Sequence, residues 1–203
     1  MKEQLLKYEN KEIKDSIYYK EGTIPILLSS PHTMEQIKED GNIKLPEPFT
    51  KAINMYISNT LDTYSIIKIN DTGIDPNSET EEEYKNKILD IIKDNNIKLV
   101  IDIHGASINR EFDIELGTLN NLSADYSTIK ELKEAFIEHG ITNIEINNPF
   151  KGGGITKTIY GNTNIDVIQI EINRKYRNIE NLEKIETLIE SIISFIKQYT
   201  NVL

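Results

Sequence analysis

The stretch Ile97-Lys98-Leu99-Val100-Ile101-Asp102-Ile103-His104-Gly105 decides the fold. From Ile97 to Ile103 it is an almost unbroken apolar run, the pattern of a strand covered on both faces rather than on one. Working outward, other Ile/Val/Leu-rich runs alternate with helical spacing. Ser16 to Lys20 and Thr23 to Ser29 flank Glu21-Gly22 and predict a hairpin. Pro48 to Leu61 predicts a helix, Tyr64 to Ile69 a strand, and Tyr84, Ile88, Ile91 and Ile92 a second amphipathic helix. The run Glu79 to Glu83 suits that helix's first turn, where carboxylates favour the dipole. Phe112, Ile114 and Leu116 alternate with polar residues, as in a strand nearer an edge. Ile129, Leu132 and Phe136 mark a helix ended by His139-Gly140; Asn143 to Ile146 and Val167 to Ile172 are strands, and a long helix closes the chain. Strands alternating with helices predict an α/β layered fold on a mixed, mostly parallel sheet, as one domain over residues 1–203. In such sheets sites form beyond the carboxyl ends of the strands.

Composition narrows the partners. Of 203 residues, 23 are Lys or Arg and 33 Asp or Glu, a net charge of -10, which argues against nucleic acid or an anionic membrane as partner. The charged N-terminus lacks the apolar run of a signal peptide and no window is apolar enough to cross a bilayer, so a cytoplasmic protein is expected. Cysteine is absent, which removes disulfides, thiolate zinc sites and a Cys nucleophile. Only three His and three Arg occur, and most of them fall at strand ends.

Three polar clusters sit there. Ser30-Pro31-His32-Thr33-Met34-Glu35 follows the Ile24 to Ser29 strand, and its His32 and Glu35 can turn toward one metal ion from a tight turn. A loop His and Glu on the surface is the plainer reading. Asp102 and His104 point to one face of their strand. His104 joining the His32/Glu35 pair completes a three-ligand set with one open position, the arrangement of catalytic zinc, with Asp102 orienting it from behind. Alternatively, His104 only ends a strand and Asp102 bonds a backbone N–H. In Gln169-Ile170-Glu171-Ile172-Asn173-Arg174 the polar residues share one face. A carboxylate in a central strand is costly unless paired or working, so Glu171 is either a general base or the partner of Arg174 or Arg177. Arg110, beside Asn109, can grip a substrate carboxylate or stabilise an oxyanion, and Arg174 can act likewise from the other side. For Arg177, ordinary surface pairing is expected. Gly152-Gly153-Gly154 lacks the Lys-Ser/Thr of a P-loop and suits a closely approached loop beside the pocket, with Gly153 at the substrate. No G-x-S-x-G elbow supports Ser29, Ser30 or Ser107 as a nucleophile, and His139 suits a helix end.

Ser29-Ser30-Pro31-His32, Asp102-Ile103-His104-Gly105 and Lys151-Gly152-Gly153 through Tyr160-Gly161 to Gln169-Ile170-Glu171-Ile172-Asn173-Arg174 resemble the N-formylglutamate amidohydrolases. That family is similar in fold to zinc carboxypeptidases and aspartoacylase. The resemblance implies a phosphorylase/hydrolase-like three-layer α/β/α sandwich, Zn(2+) held by His32, Glu35 and His104, and Glu171 as base. It also implies Arg110 and Arg174 as grips on an acidic substrate. The expected activity is zinc-dependent hydrolysis of the N-formyl or N-acyl amide of an acidic amino acid. Two rival readings are hydrolysis of γ-glutamyl or other peptide amides by the same site, and a degenerate member that only binds an acidic ligand.

Overall fold

A computed structural model of the protein describes residues 1–69 and 73–201. The quoted stretch forms β6 (Leu99–Ala106), and its neighbours follow from alternation along each strand. The other strands are β1 (Ile17–Lys20), β2 (Ile24–Ser30), β5 (Thr63–Lys68), β7 (Ile114–Gly117), β8 (Ile144–Ile146) and β9 (Asp166–Asn173). They make one seven-stranded sheet in the order β1-β5-β2-β6-β9-β7-β8. The central four, β5, β2, β6 and β9, run parallel; β1 and the β7-β8 pair run against them. A separate two-stranded ribbon pairs β3 (Gln36–Ile37) with β4 (Ile43–Lys44).

Among the described residues six helices cover the sheet: α1 (Lys2–Glu9), α2 (Thr50–Leu61), α3 (Glu83–Asp94), α4 (Tyr126–Glu138), α5 (Gly154–Asn162) and α6 (Leu182–Thr200). Residues of α1, α2, α4 and α6 pack on Ile26, Leu28, Ile101, Ile103, Ile168 and Ile170 of one face. Residues of α3 and α5 pack on Leu27, Ile66, Val100 and Val167 of the other. This is the expected three-layer α/β/α sandwich on a mixed sheet. Among the described residues no helix is long and apolar enough to cross a membrane.

The α3/α5 face holds the clue to function. Along β6 it reads Val100, Asp102, His104, and along β9 Val167, Gln169, Glu171, Asn173. Each strand is apolar where α3 and α5 cover it and polar toward its carboxyl end. Register then lines up the polar ends: Asp102 lies beside Gln169 and His104 beside Glu171.

The expected hairpin of residues 16–29 does not form: β1 pairs antiparallel with β5, which lies between β1 and β2. Two strands adjacent in sequence are separated because β5 pairs with both, parallel to β2. Two helices lie outside the periodicity reading. The first, α1, buries only Leu5, too little for an apolar stripe. The second, α5, opens on the glycine cluster that suggests a loop. The acidic run leads into α3 and supplies its first residue, Glu83, while Glu81 accepts the Tyr84 N–H at 2.9 Å, so the run serves that helix end as expected.

Candidate metal and catalytic site

His32 lies just beyond β2, and His104 and Glu171 lie near the carboxyl ends of β6 and β9, three adjacent parallel strands. All three side chains are buried. His32 Nδ1 and His104 Nδ1 are 3.0 Å apart. The carboxylate that joins them is Glu47, whose Oε1 lies 3.1 Å from His32 Nδ1 and whose Oε2 lies 4.0 Å from His104 Nδ1. These ligand atoms all fall within 4.8 Å of one another.

Glu35 is therefore not the third member of this cluster. It is exposed, whereas the next residue, Gln36, is buried and donates to Pro31 O at 2.6 Å. Gln36 opens β3 after a bend at residues 33–34, and alternation there turns Glu35 outward where Gln36 turns inward. Glu47 arrives instead because its N–H donates to His32 O at 2.8 Å, and Gly105 N–H holds its Oε2 at 2.7 Å. The sequence carries one signal for it. In Pro46-Glu47-Pro48 a carboxylate stands between two prolines, which stiffen the backbone before a helix.

The outer nitrogens decide the chemistry of the inner ones. His104 Nε2 lies 2.7 Å from Asp102 Oδ2, and His32 Nε2 lies 2.8 Å from Asp75 Oδ1. With the proton of each ring on the Nε2 that faces Asp102 or Asp75, each Nδ1 keeps a lone pair, and that of His32 also faces Glu47 Oε1. Two lone pairs 3.0 Å apart beside a carboxylate repel unless a cation lies among them. A proton can serve: burial opposes charge on His104, but Asp102, Glu171 and Glu47 raise its pKa to about 9. A divalent metal serves better, since neutral imidazoles and a carboxylate are ordinary zinc donors. Bonds of about 2.0–2.1 Å in a tetrahedron put neighbouring donors about 3.4 Å apart. The separations of 3.0 Å between the imidazoles and 3.1 Å from His32 Nδ1 to Glu47 Oε1 lie near that value, and one donor atom from each residue stays within 4.8 Å of the others, so the residues present fit such an ion. Asp102 is held in turn by Ser29 Oγ at 2.7 Å, itself 3.0 Å from the Tyr84 hydroxyl. Ser29 thus serves Asp102 and is no nucleophile. Burial pushes Asp75 up, but His32 and the Asn77 N–H outweigh it and hold Asp75 at about 2.

Glu171 is buried beside His104 in register. Burial, with the negative charge of Glu47 behind it, raises its pKa, and His104 only partly opposes this. Gln169 Nε2 donates to its Oε1 at 2.8 Å, while Gln169 Oε1 accepts the Gly153 N–H at 2.7 Å. Because the backbone N–H can only donate, the amide orientation of Gln169 is assigned by it. Gly153 thus spends its N–H on Gln169. Gly153 and Gly154 are needed for closeness: a Cβ there would come within 2.5 Å of Asn77 Oδ1 and 2.3 Å of Asn77 O. Asn77 Oδ1 accepts the Ile155 N–H at 3.1 Å and so caps α5.

The salt-bridge reading of Glu171 does not hold: among the described residues neither Arg174 nor Arg177 forms an ion pair with it. Arg174 is exposed on the one-turn 3-10 helix Arg174–Tyr176. Arg177 is buried, contrary to the expected surface pairing, and donates to backbone carbonyls. Arg110 and Asn109 are exposed and line a cavity of about 530 Å³ with Asn143, Glu145 and Asn148. The Arg110 guanidinium lies 4.8 Å over the Phe150 ring. His139 Nδ1 lies 2.8 Å from Ala135 O and closes α4, as expected.

One more carboxyl lies beside Glu171, on no motif of the sequence. Glu115 pairs with Glu171 across β7 and β9, is fully buried, and accepts the Phe150 N–H. Burial, with Glu171 and Glu145 nearby, raises its pKa to about 7 from an ordinary 4.5. The folded chain then binds a proton more tightly than the unfolded chain, so this stabilising term is full below pH ~4.5 and fades as pH rises through about 7. Urea unfolding at pH 5 and pH 8 should show Glu115→Gln losing less stability than the wild type over that interval. Parallel losses would remove Glu115 from the titration.

The N-formylglutamate amidohydrolase family model matches residues 82–177, which contain His104, Glu171 and the glycine cluster. Among curated proteins no sequence matches. Among solved structures, an N-formylglutamate amidohydrolase from Ralstonia eutropha superposes with a TM-score of 0.63 at 12% identity, covering 90% of this chain and 98% of that one. A bacteriophage poly-gamma-glutamate hydrolase gives 0.60 at 12% identity, covering 95% and 94%. An N-acetylmuramoyl-L-alanine amidase from Clostridium difficile gives 0.55 at 11% identity, covering 87% and 96%. At such identities the structural likeness establishes the fold. The family match bears out the resemblance for the motifs that lie within residues 82–177.

Proposed function

We propose that this chain, a relative of the N-formylglutamate amidohydrolases over residues 82–177, is a metal-dependent hydrolase of amide C–N bonds. The metal is zinc, held by His32, Glu47 and His104, and the substrate is an acidic amino acid carrying an N-formyl or N-acyl group. The observation that carries this reading is the convergence of two imidazole Nδ1 atoms and a carboxylate beside a second, buried carboxylate of raised pKa. The family match supports amide hydrolysis as the reaction class.

Zinc supplies Lewis acidity, polarising a scissile carbonyl and lowering the pKa of water toward ~7. Glu171 supplies the proton path. Its Oε1 is engaged by Gln169, so Oε2 takes the proton of the attacking water and returns it to the leaving nitrogen as the C–N bond breaks. The raised pKa makes Glu171 a stronger base than an ordinary carboxylate, which suits taking and returning that proton. Asp102 and Asp75 keep the two imidazoles oriented. Arg110, with Asn109 beside it, is the proposed grip for the substrate carboxylate, and the exposed Arg174 can reach an anion from the β9 side. The protein acts on a small anion in the cytoplasm, without nucleic acid or membrane.

Formate release from N-formyl-L-glutamate, before and after chelation, tests this reading. Turnover that stops with chelator and returns with zinc is the expected result. Release of glutamate from a γ-glutamyl peptide without formate release would replace the substrate but keep the site. Binding of N-formyl-L-glutamate with no product from either substrate would leave a ligand-binding protein.

A further inference from the structure

Arg177 is 2% exposed and lies in the turn after β9. Its guanidinium donates from Nε to Ile172 O at 3.0 Å, from Nη1 to Pro48 O at 2.7 Å, and from Nη2 to Ala106 O at 2.9 Å. Those carbonyls belong to three segments distant in sequence. Pro48 directly follows Glu47, Ile172 directly follows Glu171, and Ala106 is two residues past His104. The same guanidinium covers Gly105, where a Cβ would come within 2.3 Å of Arg177 Cζ. Gly105 N–H, in turn, holds Glu47 Oε2 at 2.7 Å. Among the described residues no carboxylate forms an ion pair with Arg177. A buried guanidinium is costly to desolvate, and an apolar side chain could fill the same volume. What an apolar side chain cannot do is hold three carbonyls at fixed angles, as a rigid planar fork does.

We propose that Arg177 is a positioning residue of the metal site: it locks the Glu47 segment to the ends of β6 and β9, so that Glu47 meets the two histidines. The sequence explains why this work falls to a long-range clamp. His104 and Glu171 are placed by strand register, which is local to the sheet. Glu47 comes from the connection between β4 and α2, where no sheet register fixes it. Its ligand position depends on the Glu47 N–H to His32 O bond, on Gly105 N–H, and on the Pro48 carbonyl that Arg177 grips.

The metal arm of the test rests on the proposed zinc site; the second arm does not. Zinc affinity, measured by competition with a chelating dye, should fall about 10-fold in Arg177→Lys and about 100-fold in Arg177→Met, the range for residues that orient ligands. Lysine keeps the charge but not the fork, so partial rescue is expected. Ile189→Val and Ile189→Ala, in α6 on the opposite face of the sheet, lower the melting temperature and should leave zinc affinity at the wild-type level. An affinity loss in the Arg177 variants no larger than in an Ile189 variant of equal melting temperature would overturn the proposal. In the metal-free proteins, the Gly105 amide should exchange with solvent about tenfold faster in both Arg177 variants, the effect of losing one charge-assisted hydrogen bond, while the Val100 and Ile168 amides keep their rates. Unchanged Gly105 exchange would overturn the proposal even if the wild type takes up no zinc, an outcome that would separately remove the metal reading.

Discussion

Glu171→Gln is expected to bind zinc as the wild type does and to lose turnover by about 10²–10⁴-fold, the usual contribution of a general acid–base residue. The substitution keeps the shape of the side chain and removes only its ability to take a proton. Glu171 is not among the three converging donors, so the metal content should stay unchanged. Gln169 faces Glu171 Oε1 with its amide nitrogen, and the new side chain can present its carbonyl oxygen there, so the local hydrogen bond survives. A steady-state assay beside metal analysis separates the two quantities. Full activity with normal zinc would take the proton path away from Glu171, whereas loss of both would show that the carboxylate helps hold the site together.

The second large effect belongs to the donors themselves. Glu47→Gln and His104→Ala should each lower zinc affinity by roughly 10²-fold or more. If about 10–16 kcal/mol of zinc binding is shared by four donors, each accounts for ~2.5–4 kcal/mol. Glu35→Gln should leave affinity untouched, because Glu35 is exposed and outside the cluster. The contrast between Glu47 and Glu35 is the sharpest check on the ligand set. Inductively coupled plasma mass spectrometry on protein dialysed at a fixed free zinc concentration reads it directly. His104→Ala also strands Asp102, which is fully buried and bonds His104 Nε2 at 2.7 Å. Circular dichroism of that variant is therefore measured alongside, and Glu47→Gln, being nearly isosteric, carries the argument if His104→Ala unfolds. Retained affinity in Glu47→Gln with loss in Glu35→Gln would restore the ligand set implied by family resemblance.

Much of the fold can be read from periodicity because burial imposes it residue by residue. Ile97 to Ile103 is apolar on both sides of the chain because α2, α4 and α6 cover one face of β6 and α3 and α5 the other. The same logic exposes His104 and Glu171: on an otherwise covered face they are the polar residues at the carboxyl ends. Periodicity fails where an element buries little or starts unusually. The helix α1 fully buries Leu5 alone, and α5 begins at a glycine capped by Asn77 from a distant turn. Pairing fails too, since nothing local distinguishes a β1-β2 hairpin from two strands that both pair with β5.

By itself, then, the sequence determined the α/β/α layering, the two histidines, the buried glutamate and the family signature, because each is written in a local pattern of residue types. Only the tertiary structure decided that Glu47 rather than Glu35 faces the histidines, that Asp75 lies behind His32, and that Arg177 is a buried clamp. Those three depend on segments 15, 43 and 129 residues apart being brought into contact. Spacing along the chain carries no information about such encounters. They are settled by which backbone N–H and C=O groups find partners when the connections fold over the sheet edge.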